Sequence, residues 1–126
     1  MSLEELKEKA IEAATKAYAP YSQFKVGCAI VTKTGNVYVG CNVENASYGL
    51  TVCAERNAIA NAISKEGNIE IETVIIFTPT QSITTPCGAC RQVISEFGNP
   101  EVYSYCNVEN MNLGKIKDLL PSAFNL

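Results

Sequence analysis

Thr51-Val52-Cys53-Ala54-Glu55-Arg56-Asn57 and Pro86-Cys87-Gly88-Ala89-Cys90-Arg91-Gln92 decide the reading of this chain. The first run offers one thiol and, two residues on, a carboxylate. The second offers two thiols at C-x-x-C spacing. Three thiols make an incomplete tetrahedral cage for zinc, and a zinc that does chemistry needs its fourth position left for water. Zinc lowers the pKa of such a water toward neutrality, and a carboxylate close by can move its protons. Glu55 is the candidate for that task, with Cys53, Cys87 and Cys90 as the candidate ligands.

Both runs fall at expected helix starts. Thr51 reads as the N-cap of a helix from about Val52 to Ser64. In mid-helix, residues i and i+2 point to different faces, whereas in the first turn both can project past the helix end. Cys53 and Glu55 can therefore converge, and the unpaired backbone N–H groups there favour thiolate over thiol. Cys87 and Cys90 open a second helix, from about Gly88 to Phe97, closed near Gly98-Asn99-Pro100. Between the two helices, Asn68 to Pro79 is a strand whose centre, Thr73-Val74-Ile75-Ile76-Phe77, suits burial on both faces.

Upstream, Phe24 to Lys33 and Asn36 to Glu44 form a hairpin about Thr34-Gly35. Gly27 and Gly40 interrupt its strands, which indicates close backbone approach or a bulge. Asn42-Val43-Glu44-Asn45 ends the second strand with polar side chains. A solvated strand end is the ordinary reading, but the next ordered element carries Cys53, which favours a role in the site. Ser2 to about Tyr18 is a packing helix: Ser2 and Glu5 make a capping box, and Leu3, Leu6, Ala10, Ala13, Ala14 and Ala17 lay an apolar stripe that Pro20 ends. Downstream, Glu101 to Asn107 is a fourth strand and Asn110 to Leu113 a candidate fifth. A helical turn over Lys115–Leu120 and a tail carrying Phe124 follow. This order predicts an α/β sandwich around a mixed sheet.

The 126 residues suffice for one domain with a real core. Hydrophobic residues at 47% against 18% charged argue for a compact globule and against disorder. Histidine is absent, which removes Ser-His-Asp triads, Cys-His nucleophiles and imidazole-held metals. A net charge of −3 and a pI near 5.0 leave no basic footprint for a nucleic-acid polymer, so a small substrate is expected. No secretory leader is read at the start and no apolar run approaches a membrane span. Reduced thiols in a cytoplasmic protein are therefore expected.

A C-x-x-C pair after a strand also describes thioredoxin-like redox proteins, and a structural zinc site normally closes with four ligands. Cys28, Cys41 and Cys106 lie inside expected strands without metal-type spacing and read as buried free thiols. Cys53-Ala54-Glu55 separates these readings. A redox pair needs no third cysteine with a glutamate two residues on, and a closed site needs no acid or base. Three thiolates make zinc a poor Lewis acid, so Arg56, three residues after Cys53, is read as a donor that draws charge off the sulfurs.

One zinc ligand, a glutamate two residues on and then P-C-x-x-C form the signature of zinc-dependent deaminases. The chain closely resembles the cytidine deaminase family in its small homotetrameric, all-cysteine form. The resemblance rests on Ala19-Pro20-Tyr21-Ser22, Phe24-Lys25-Val26-Gly27, Gly40-Cys41-Asn42-Val43-Glu44-Asn45-Ala46-Ser47-Tyr48, Cys53-Ala54-Glu55-Arg56, Pro86-Cys87-Gly88-Ala89-Cys90-Arg91-Gln92-Val93 and Leu119-Leu120-Pro121. It implies a three-layer sandwich with helices on both faces of a mixed sheet of about five strands, a single domain over residues 1–126, and one Zn²⁺ per chain. Its implied activity is deamination of cytidine and 2′-deoxycytidine in pyrimidine salvage. By resemblance, Glu55 is the proton shuttle, Asn42 and Glu44 grip the ribose, and Phe24 packs on the nucleoside. Ala46, Tyr48, Ala54 and Phe124 also belong to nucleoside sites, some of them shared between subunits. Cys28 departs from the small alanine of many relatives, and the segment after Cys106 is shorter than usual. Rival readings are a deaminase of another aminated nucleoside such as blasticidin S, an RNA-editing deaminase, and a zinc or redox protein without catalysis. Asn42 with Glu44 counts against the first, and the acidic balance with the all-thiolate site against the second; spacing alone leaves the third open.

Overall fold

The computed structural model describes residues 1–126 as one five-stranded mixed sheet with helices on both faces. The elements in chain order are α1 (Leu3–Thr15), β1 (Gly27–Thr32), β2 (Val37–Cys41), a short 3₁₀ turn (Tyr48–Leu50), α2 (Ala54–Glu66), β3 (Ile71–Phe77), α3 (Gly88–Ser95), β4 (Glu101–Tyr105), β5 (Asn110–Lys115) and α4 (Ile116–Leu119). The strand order is β2-β1-β3-β4-β5, with β3 and β4 parallel through the α3 crossover and every other pair antiparallel. No helix is long and apolar enough to cross a membrane.

Strand alternation sorts the core into two layers. On one face Ala29, Ile75, Phe77 and Tyr105 meet Leu6, Ala10 and Ala14 of α1. On the other, Cys28, Ile30, Val74, Ile76 and Val102 meet Ala54, Ala58, Ile59 and Ala62 of α2 and Ile94 of α3. β3 is buried on both sides at its centre, as its run of Val and Ile requires.

Several boundaries differ from the sequence expectation, and those of α1, the hairpin and α2 do so for tertiary reasons. The capping box of Ser2 and Glu5 is present, but α1 ends at Thr15, well before Pro20. The Tyr18 N–H is taken by the Asn42 carbonyl at 3.0 Å and Tyr18 bridges to Val43, so the chain there is already extended. The hairpin strands are shorter than expected because Asn42 holds the backbone of Phe24 and Val26 with its side chain. Helix α2 is capped by Cys53, not Thr51. Val52 pairs with Val43 in both directions, keeping residue 52 extended, while Thr51 Oγ1 accepts the Asn45 N–H at 3.3 Å. β3 and α3 are trimmed at their ends, β4 stops at Tyr105, and the fifth strand is real and reaches Lys115. Cys28 and Cys106 are buried free thiols, whereas Cys41 is only half-buried.

Gly27 and Gly40 mark close approach. A Cβ on Gly27 would collide with the Ala10 carbonyl of α1, and one on Gly40 with the α2 backbone at Ala54 and Ala58. Helix α2 also reaches the sheet edge: Asn57 Nδ2 donates to the outward-facing carbonyl of Cys41 at 2.8 Å and Asn61 Nδ2 to that of Val39 at 3.2 Å. At the far end of α2, Glu66 accepts from Thr34 Oγ1 (2.6 Å), Asn36 Nδ2 (3.0 Å) and the Tyr38 hydroxyl (2.8 Å), tying the helix to the β1–β2 hairpin.

Two predictions follow from this packing. Gly40→Ala should cost about 3 kcal/mol, the upper part of the overpacking range, because backbone rather than a flexible side chain stands in the way; denaturant unfolding measures it. The hydrogen bonds to Glu66, that from Thr34 first, hold its carboxyl at about 2 against an ordinary 4.5. A lowered folded-state pKa stabilises above the unfolded value and loses that stabilisation as pH falls through the folded one. Glu66→Gln should therefore lower the Tm at pH 7, with the difference from wild type shrinking between pH 4.5 and 2 in thermal scans.

Candidate active site

The N-termini of α2 and α3 meet beyond the end of β3, on the same face of the sheet. Cys53 is the N-cap of α2 and Cys87 the N-cap of α3, with Cys90 one turn into α3. The sulfurs of Cys53, Cys87 and Cys90 all lie within 4.8 Å of one another, and Cys53 Sγ is 3.8 Å from Cys87 Sγ. Burial is graded: Cys90 is enclosed, Cys53 half-buried and Cys87 exposed. Cys28, Cys41 and Cys106 take no part in the cluster.

The cluster is surrounded by donors. Arg56 Nη2 lies 3.3 Å from Cys53 Sγ, and the Cys90 N–H donates to Cys87 Sγ at 3.4 Å. Arg56 Nε is buried without a partner, an orphan donor on the side chain that reaches Cys53 Sγ. Hydrogen bonds from Cys90 and then Arg56 push the Cys53 thiol well below its ordinary value. Three soft sulfur donors at this separation, with helix N-termini and a guanidinium to disperse charge, fit one Zn²⁺.

Glu55 sits in the first turn of α2 and is only 5% exposed. Burial pushes its carboxyl up to about 7, assisted by the negative charge of Cys53 and opposed by hydrogen bonding to its own backbone and by Arg56. Glu55, Cys53, Cys87 and Ala54 share one cavity of about 190 Å³, whose other walls are Phe24, Val26, Asn42, Thr51, Ile76, Thr84 and Thr85. A second cavity of about 370 Å³ shares Thr51 with the first and is bounded by Tyr21, Ser22, Glu44 and Tyr48. The site is thus a small, mostly apolar chamber at the sulfurs with a wider vestibule that carries the Glu44 carboxylate between Tyr21 and Tyr48.

The scan against family models matches residues 1–106 to the cytidine and deoxycytidylate deaminase zinc-binding region. A cytidine deaminase of Sporosarcina psychrophila is 39% identical over 99% of this chain and 93% of its own length. One from Halalkalibacterium halodurans is 42% identical over 98% and 95%. The crystal structure of a cytidine deaminase from Burkholderia pseudomallei superposes with a TM-score of 0.91 at 44% identity, covering 98% of this chain and 100% of that one.

The chain belongs to the cytidine deaminase family.

It is accordingly a hydrolase, with the family's zinc-binding region. Of the residues singled out in the sequence, the structure brings Cys53, Cys87, Cys90, Arg56, Glu55, Ala54, Phe24 and Asn42 together around the small chamber. Glu44 and Tyr48 border the vestibule, where Tyr48 meets Tyr21 edge-on with ring centroids 6.2 Å apart. Ala46 lines neither cavity of this chain. Phe124 is 71% exposed and borders a separate cavity with Leu120 and Ser95, its carbonyl held by Gln92 Nε2 at 2.9 Å. Thr51, Thr84 and Thr85 are walls that the sequence reading missed. Their only sequence signal is adjacency: they stand two and three residues before Cys53 and Cys87.

Arg56 supplies a direct test of how the sulfurs are supported. Arg56→Ala should weaken zinc retention about 10- to 100-fold, the usual cost of losing a partner that steadies metal ligands. Competition with a chromogenic chelator measures it, and an unchanged zinc affinity would show that Arg56 is only a neighbour.

Proposed function

We propose that this chain catalyses the hydrolytic deamination of cytidine and 2′-deoxycytidine, releasing ammonia and leaving uridine or 2′-deoxyuridine, as a step of pyrimidine salvage in the cytoplasm. The observation that carries this reading is one chamber holding a buried carboxylate, the cysteine cluster and an aromatic wall. At about 190 Å³ it is smaller than the ~300–1,000 Å³ of pockets for drug-sized ligands, and it suits a single ring.

Held by Cys53, Cys87 and Cys90, zinc would supply a Lewis acid that brings the pKa of water toward neutrality. The exchange adds the oxygen of water to C4 of the base and breaks the bond from C4 to the exocyclic nitrogen. Glu55 handles both protons of that water: one goes to ring N3, where uridine keeps it, and one to the amine, which departs as ammonia. A carboxyl with a pKa close to neutral serves both directions, since it neither holds a proton too tightly nor releases it too soon. Phe24 lays its ring along the chamber mouth against the nucleoside. Asn42 and Glu44 hold sugar hydroxyls, the one with an amide and the other with a charged acceptor.

The unit proposed to work this way is one domain over residues 1–126, assembled as a homotetramer. Tyr18, Tyr21, Val43, Tyr48 and Leu50 are exposed beside the vestibule, an apolar rim of the kind that marks an interface. Ala46 and Phe124, remote from the chamber of their own chain, are proposed to serve a neighbour's site.

The first experiment is to add cytidine to purified protein of known zinc content and follow the ultraviolet change to uridine. Conversion with about one zinc per chain is expected, and zinc-loaded protein without turnover would refute the reading. Glu55→Ala should keep its zinc yet lose roughly 10²–10⁴-fold in kcat. Near-normal turnover in that variant would remove Glu55 from the chemistry.

A further inference from the structure

We infer that Ser22 is a positioning residue for the sugar end of the site, fixing Glu44 and Phe24 together through one hydroxyl. The hydroxyl donates to Glu44 Oε2 and accepts the Phe24 N–H at 3.0 Å. The other Glu44 oxygen, Oε1, accepts the backbone N–H groups of Tyr21 at 3.0 Å and Ser22 at 3.1 Å. A serine hydroxyl carries one donor hydrogen and two acceptor lone pairs, and both capacities are used here.

This geometry matters because neither partner is fixed by burial. Phe24 is exposed on its outer side and Glu44 stands past the end of β2, between Val43 and the turn at Tyr48. An unanchored carboxylate there would lose rotamer entropy whenever it gripped a ligand. Gln23, between Ser22 and Phe24, has φ 60, a left-handed conformation that few side chains adopt without support. The bond from the Phe24 N–H to Ser22 closes the chain across that residue. On the other side of Phe24, its carbonyl accepts from Asn42 Nδ2 at 2.8 Å, while Asn42 Oδ1 takes the Val26 N–H at 2.8 Å. The peptide of the aromatic wall is therefore clamped at both ends, by Ser22 and by Asn42. The Ser22 hydroxyl, with the backbone N–H groups of Ser22 and Tyr21 behind it, also keeps the Glu44 carboxyl below its ordinary range, so it faces the vestibule as an anion.

The inference rests on the reading in which Glu44 holds the sugar, and the test separates the two. KM and kcat are measured for Ser22→Ala, Ser22→Thr and Glu44→Gln with cytidine and with 2′,3′-dideoxycytidine, which lacks the 2′- and 3′-hydroxyls that Glu44 would hold. Losing its bond to the Glu44 carboxylate and the one from the Phe24 N–H, Ser22→Ala should raise KM for cytidine roughly tenfold with kcat within about twofold. With dideoxycytidine only the loosening of Phe24 is left to be felt, since the hydroxyls that Glu44 would hold are absent, so its KM should stay within about threefold of wild type. Ser22 is exposed, so the methyl of Ser22→Thr has room and its hydroxyl should restore the cytidine KM. An unchanged cytidine KM in Ser22→Ala, an equal loss with both nucleosides, or no rescue by Thr would overturn the inference. If Glu44→Gln leaves the preference for cytidine over dideoxycytidine at the wild-type value, the sugar reading falls and the role of Ser22 falls with it. If Glu44→Gln erases that preference while Ser22→Ala preserves it, only the role of Ser22 is lost.

Discussion

Two helix N-termini, 34 residues apart in the chain, have to place their first side chains at one point in space. Close helix packing, the Cys90 N–H and Arg56 hold the sulfurs of Cys53, Cys87 and Cys90 within one cluster. Small residues make the packing possible. Ala54, Ala58 and Ala62 let α2 lie flat on the sheet, and Gly40 lets β2 run directly beneath it. A bulkier residue at any of these positions would lift the helix and carry Cys53 and Glu55 away from α3.

The two ends of the site are built differently. At the sulfurs, the side chains are held by helix starts and by burial, and the walls are apolar. At the vestibule they are held by a web of hydrogen bonds among loops, in which Asn42 and Glu44 brace the segment from Tyr21 to Val26. Asn42 spends one bond from each side-chain polar atom on that bracing and still has one amide hydrogen and one lone pair to offer.

The cysteine cluster was legible because its constraint is local: the ligand spacing, the helix starts and the placement of Glu55 are all visible within two heptapeptides. The strand core of β3 and the hairpin were legible for the same reason, from their Val and Ile content and the Thr34-Gly35 turn. The misplaced ends of α1 and α2 have non-local causes. Nothing near Thr51 in the sequence announces that Val52 is paired with Val43, which moves the helix cap two residues on to Cys53. Likewise nothing near Tyr18 announces the Asn42 carbonyl that draws it out of α1. The walls at Thr84 and Thr85 lie in a loop without periodicity, where only the fold says which side chains turn inward.

The pair of asparagines on α2 has a consequence for assembly. By occupying the outward carbonyls of Val39 and Cys41, Asn57 and Asn61 deny one border of the sheet to any incoming strand. Growth by adding copy after copy requires two available borders, whereas pairing through β5 alone stops at two copies. The molecule is in this way insulated against runaway polymerisation along the sheet.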